Sequence, residues 1–204
     1  MNVSEGLGFL AGTIGIGSSL PQIIKIRRTK KIDGLSKTTW ILAYLFSSIW
    51  LGYGLSIHSP SQEVTNGFST LFAAIVLYYL FQDNRKVLFL LPIVFALVIL
   101  LALNVSSKDM APLLFLSVGT NVTQAIKSYK SNKYNRYSAV SIHMLILSLI
   151  ASTLWVGYAI VGHRGIVIIT SGWSVLVTAL ILIFELKRNK SIQARERPII
   201  LPGI

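Results

Sequence analysis

Seven apolar segments, at 5–25, 36–57, 60–82, 87–104, 110–127, 138–161 and 165–186, are separated only by short polar breaks. Crossing the hydrocarbon core of a bilayer takes about 20 helical residues, and most of these segments have that length, the fourth being the shortest. Backbone inside lipid must satisfy its own hydrogen bonds, so such runs fold as spanning helices. With 53% apolar and 13% charged residues, the composition suits an all-α multi-pass membrane protein and not a soluble domain. The first segment has no positively charged leader and is long enough to span, so it reads as a retained helix. At Ser59-Pro60-Ser61-Gln62 an N-cap serine, a proline at the first helical position and a capping-box glutamine mark the start of the third segment.

The basic residues fall in alternate breaks. Lys25 to Lys37, Arg85 with Lys86, Lys127 to Arg136, and the tail from Lys187 place 17 of 19 Lys and Arg on one face, leaving Lys108 and Arg164 on the other. This bias predicts an external amino terminus and a cytoplasmic tail, in an integral protein of the cell membrane. It also accounts for the net charge of +12 without nucleic acid as a partner. The tail 187–204 is expected to be a loosely ordered basic segment at the membrane surface.

The chain repeats itself. Shifted by 105, Ser47, Trp50, Gly52, Tyr53, Thr65, Gly67 and Ser69 fall on Ser152, Trp155, Gly157, Tyr158, Thr170, Gly172 and Ser174. Upstream the best shift is 102, pairing Gly17 with Gly119, Gln22 with Gln124 and Lys25 with Lys127. The expected organisation is a three-helix repeat (1–86), a linker helix (87–108), a second repeat (109–186) and the tail (187–204). An odd-numbered unit ends on the face opposite its start. A single linker helix therefore restores the second copy to the orientation of the first, and the repeats are parallel.

Within the first segment stands Pro21, followed by Gln22. Proline donates no backbone hydrogen bond and crowds the preceding turn, so a bend is expected there, beside a cavity or packed protein. The second copy has Thr123-Gln124 at the matching place and lacks the ring. Gln22 and Gln124 suit a hydrogen-bonded gate or solvated helix ends equally. Gly8, Gly12, Gly15 and Gly17 suit close packing better than movement, and His58 and His163 suit exposed helix ends.

Together, Pro21-Gln22, the 3+1+3 arrangement and the matched tryptophans resemble the SWEET and SemiSWEET sugar transporters of the PQ-loop superfamily. SWEET transporters are an established instance of parallel repeats, so a known pattern is being matched. The resemblance covers nearly everything but the tail and implies a hinge at the proline-glutamine pair and a pocket made by a late tryptophan in the second helix with an early asparagine in the third. Pro21, Trp50 and Asn66 stand at those places, and Thr123, Trp155 and Ser171 occupy them in the second copy. Hinge and pocket are therefore expected to be lopsided.

A sugar needs flat apolar surfaces and neutral hydrogen-bond partners, which two tryptophans, Asn66 and Ser171 supply. The same tryptophans suit interfacial anchors, and Asn66 suits a helix-to-helix hydrogen bond. All seven Asp and Glu are expected at helix ends, in loops or in the tail. Without an ionisable group inside the membrane, the expectation is passive, bidirectional exchange by alternating access. No nucleophile elbow, phosphate-cradling loop or set of metal-spaced histidines is present, so neither an enzyme nor a cofactor is implied. The absence of cysteine excludes disulfides and thiolate chemistry. Two alternatives remain, a carrier of an amino acid or other small metabolite and, less favoured, a cargo receptor. Self-association is left open.

Overall fold

The computed structural model describes residues 2–29, 36–106, 109–117 and 142–196, with 119, 125, 126 and 129 between them, but not the side chains at 18, 19, 21, 22, 25, 29 and 189–196. The helices are α1 (Val3–Thr29), α2 (Lys37–Ser56), α3 (Pro60–Leu80), α4 (Arg85–Asn104), a short α5 (Ala111–Leu116), α6 (Ile142–Val161) and α7 (Gly165–Glu196). No strand occurs among the described residues. Local chemistry sets several boundaries. Ser36 Oγ accepts from the Thr39 amide at 3.3 Å and Asn84 Oδ1 from the Val87 amide at 3.4 Å, which caps α2 and α4. The backbone of α1 stays helical through Pro21. The side chains of Pro21 and Gln22, and Thr123 and Gln124 altogether, lie outside the described residues.

Packing follows one rule applied twice. In the first half α3 lies against both α1 and α2, and in the second α7 lies against both α5 and α6. Between halves, α1 meets α6 and α2 meets α5. Exchanging α1 with α5, α2 with α6 and α3 with α7 maps this set of neighbours onto itself. Linker α4 breaks the pattern, touching among the described helices only α2 and α3. Finer detail repeats too: His58 and His163 end α2 and α6 with left-handed φ of 50° and 53°. The amide after each bonds back to a carbonyl five residues earlier, Ser59 to Gly54 at 3.0 Å and Arg164 to Ala159 at 2.8 Å. This closure requires a left-handed residue, which histidine adopts more readily than a β-branched side chain does.

Three helices, Arg85–Asn104, Ile142–Val161 and Gly165–Arg188, are long and apolar enough to cross a membrane by length and composition alone. In α2 and α3 the average is lowered by Ser47, Ser48, Gln62, Thr65 and Thr70, all buried. Thr70 Oγ1 donates to Ser47 Oγ at 2.9 Å, so part of that polarity joins the two helices. By contrast α4 buries only Ala102, and Phe89 is 72% exposed, as suits a helix facing lipid. Glycines bring helices together where expected at two of four places. A Cβ at Gly8 would stand 2.7 Å from Ser61 Cβ, and one at Gly12 would collide with Thr65, whereas a Cβ added at Gly15 or Gly17 would meet no described atom within 4 Å.

Two expectations are corrected. The segment after 186 is not loose throughout, because α7 continues to Glu196; no glycine or proline interrupts it before Pro198, and Lys, Arg, Gln, Ala and Glu favour helix. Glu5 lies in the first turn of α1 as expected, but Glu185 lies within α7 and not at its end, and both are buried, Glu185 paired with Arg188 one turn on and Glu5 with Arg164. Buried charge is tolerated where a partner of opposite sign accompanies it, and each acid has an arginine.

Candidate functional site

Between the halves lies a cavity of about 360 Å³, lined by α1, α2, α3, α6 and α7 and by Ser117 just after α5. Trp50, Asn66, Trp155 and Ser171 all line it. Asn66 is six residues into α3 and Trp50 six before the end of α2, so each lies about 9 Å from its helix end, on one level. At the same level α1 presents Gly12 and Gly15; the missing side chain of Gly15 leaves room for the cavity, and that of Gly12 for Thr65. Each tryptophan meets a tyrosine one turn on, edge to face: Trp50 with Tyr53 at 5.6 Å and Trp155 with Tyr158 at 4.9 Å between centroids. These contacts fix the indoles from behind.

The polar lining is neutral, since none of the described lining residues is ionisable. Its hydrogen atoms are largely engaged already. Asn66 Nδ2 donates to the Gln62 carbonyl oxygen at 2.9 Å and to Gln62 Oε1 at 2.8 Å. A backbone carbonyl can only accept, so the amide orientation is settled and Oδ1 is the atom left for a ligand. Ser69, Thr170 and Ser174 donate to carbonyls of the preceding turn, at 2.9, 2.9 and 3.0 Å. Trp50 Nε1 donates to Ser117 Oγ at 3.2 Å. Oxygen lone pairs, that of Asn66 Oδ1 among them, are thereby left to accept from a solute rich in O–H donors.

Toward the amino-terminal face the cavity is closed by a polar clasp. Glu5 Oε1 and Arg164 Nη2 lie 2.8 Å apart, joining α1 to the turn before α7. Ser59 Oγ lies within reach of Glu5 at 3.0 Å, the Tyr158 hydroxyl at 2.7 Å and Arg164 Nη1 at 2.9 Å. The guanidinium of Arg164 also stacks 4.1 Å from the centre of the Tyr158 ring. This arrangement overturns the expected capping box. Ser59 occupies the N-cap position of α3 without capping it, and Gln62 holds Asn66 instead of reaching back. The carboxylate of Glu5 takes over, accepting from the Ser61 amide at 2.8 Å, so an acid of α1 caps α3.

Sequence reasoning thus missed Gln62, Ser117 and the members of the clasp. One signal was present: Ser59 and Arg164 match at the 105 shift, and Arg164 is one of two bases on a face that also holds Glu5.

Comparison with known proteins follows the same outline. Residues 6–86 match the family described as sugar efflux transporter for intercellular exchange. The sugar transporter SemiSWEET of Leptospira biflexa serovar Patoc is 27% identical over 80 residues, which is 39% of this chain and 94% of that protein. The 3.7 Å structure of a eukaryotic SWEET transporter superposes with a TM-score of 0.74 at 14% identity, over 93% of this chain and all of the other, and so shares its fold. The chain thus resembles the SWEET and SemiSWEET sugar transporters in sequence through residues 6–86 and shares the fold of a SWEET over nearly its whole length.

Proposed function

We propose that this protein carries a small neutral sugar across the cell membrane, passively and in both directions, by alternating access around the cavity between its halves. The observation that carries the reading is the pair Trp50 and Trp155 on a shared cavity whose other walls are neutral and accept hydrogen bonds. Stacking on indole faces suits the apolar side of a pyranose, and Asn66 Oδ1 accepts from a hydroxyl. Ser171 offers a shorter reach on the opposite wall. The amino terminus is proposed to face outside, which makes the clasp of Glu5, Ser59, Tyr158 and Arg164 the external closure. Opening it separates α1 from α7 and admits the solute. At the opposite face the hinge is assigned to Pro21-Gln22, with Thr123-Gln124 as the stiffer counterpart.

Both buried acids carry an arginine partner and neither lines the cavity, so transport needs no proton gradient. Counterflow of labelled hexoses, disaccharides and neutral amino acids in proteoliposomes tests the reading. Sugar exchange is expected without a pH gradient, and Trp50→Ala or Asn66→Ala should reduce it at least tenfold. Exchange of amino acids alone would favour a metabolite carrier, and sugar exchange that survives both substitutions would remove the tryptophan pocket.

A further inference from the structure

A second cavity, of about 470 Å³, lies away from the transport site, in a furrow between α3 and α4. One wall is Leu71, Ala74 and Tyr78 of α3, and the other is Leu88, Pro92 and Phe95 of α4. The furrow exists because α4 is fastened to α2 and hardly meets α3. Two fastenings are visible. The Tyr44 hydroxyl donates to the Leu91 carbonyl at 2.9 Å, and Ala102 packs where Gly52 leaves no room for any side chain. Held at these points, α4 stands off from α3 over the stretch between them. The second half has no linker helix, so the site has no counterpart there.

Length and charge identify the occupant. From Gly67 to Tyr78 the α3 wall runs about 16 Å, roughly half of a hydrocarbon core about 30 Å thick, so the furrow spans one leaflet. It ends at the turn that joins α3 to α4, where Arg85 and Lys86 are exposed. Arg85, Leu88, Pro92 and Phe95 are spaced at i, i+3, i+7 and i+10, so the guanidinium stems from the same face of α4 as the furrow wall. Lys37 adds a third cation nearby, its Nζ 4.9 Å from the centre of the Phe81 ring, against the single exposed acid Asp83 in the turn. An apolar furrow one leaflet deep, with a surplus of cations at its mouth, has the chemistry of a phospholipid with a net negative headgroup. We propose that this furrow holds an acyl chain of one anionic phospholipid, with its phosphate on Arg85 and Lys86.

Native mass spectrometry of the purified full chain, titrated in micelles with dioleoyl phosphatidylglycerol or dioleoyl phosphatidylcholine, tests this. One phosphatidylglycerol per chain is expected to be retained, at least about tenfold more tightly than phosphatidylcholine. Each cation near an anionic headgroup contributes about fivefold, so Arg85→Gln with Lys86→Gln should bring the two lipids level. Filling the furrow with Ala74→Phe should abolish retention of the anionic lipid, and Ala74→Leu, a smaller plug that disturbs the fold less, should weaken it. Equal retention of both lipids by the unaltered protein would overturn the proposal. So would undiminished phosphatidylglycerol binding by a helical, monodisperse Ala74→Leu or Ala74→Phe protein, or a second copy of the chain seated there in place of lipid.

Discussion

Gln62 decides what Asn66 can do. Its carbonyl and side-chain oxygen hold the Asn66 amide hydrogens, so the asparagine meets the cavity as an acceptor. In the second half the matching positions are Val167 and Ser171, where no such pair exists. Substituting Gln62→Val copies that half: the carbonyl of residue 62 still accepts from Asn66 Nδ2, but the second amide hydrogen loses its partner, a hydrogen bond worth about 0.5–1.5 kcal/mol, and the asparagine is held less firmly. Half-saturation for sugar counterflow should rise by about three- to tenfold, with the maximal rate less affected. As cavity-lining positions, Trp50 and Trp155 were legible because repetition and resemblance both pointed to them, and Asn66 and Ser171 because resemblance did. Gln62 was not, because a glutamine two residues after a proline reads locally as part of a cap, and only the fold shows that the cap is supplied by another helix.

Helices were legible to within a few residues wherever a cap marked the boundary, as Ser36, Pro60 and Asn84 do. They were less so where sequence carries no stop, and α7 accordingly runs past the apolar stretch into a charged turn that stays helical. Along α1, glycines that look alike do different things. Gly12 meets Thr65 of α3 so closely that a side chain cannot be added without moving a helix, whereas Gly15 faces the cavity. Gly12→Val should therefore destabilise the protein by about 1–3 kcal/mol, seen as a lower midpoint of thermal unfolding in detergent. Gly15→Ala should leave that midpoint nearly unchanged while narrowing the cavity and slowing exchange of larger sugars. If both substitutions shifted the midpoint equally, the distinction between a contact glycine and a cavity glycine would not hold.

Across the whole molecule, apolar packing is shared unequally between the two faces. Near the amino-terminal face one cluster, with Tyr53, Ala102, Leu114, Tyr158 and Val167, draws on both halves and the linker. Toward the other face the described residues form separate clusters, Ile23, Tyr44 and Leu77 within the first half and Leu145, Val177 and Ile181 within the second. This form is thus closed at the clasp, and opening there means dividing a common core after breaking a buried ion pair. Removing one partner of such a pair is expensive for the closed form, so under the proposed alternating access Arg164→Ala should shift the population toward a form open at the clasp. The chain contains no cysteine, so Ser69→Cys can be labelled alone. Its reaction with a membrane-impermeant thiol reagent added on the clasp side should quicken at least tenfold in the Arg164→Ala background, equivalent to about 1.4 kcal/mol.

Because the carboxylate that caps α3 belongs to α1, the closure and the first turn of α3 come undone together. When Glu5 withdraws, the Ser61 amide loses its acceptor and becomes available to solvent. Under the proposed alternating access, deuterium uptake at that amide therefore reports opening at the clasp without a label or a substrate. Addition of transported sugar should change its rate, whereas amides in the middle of α3 should keep theirs.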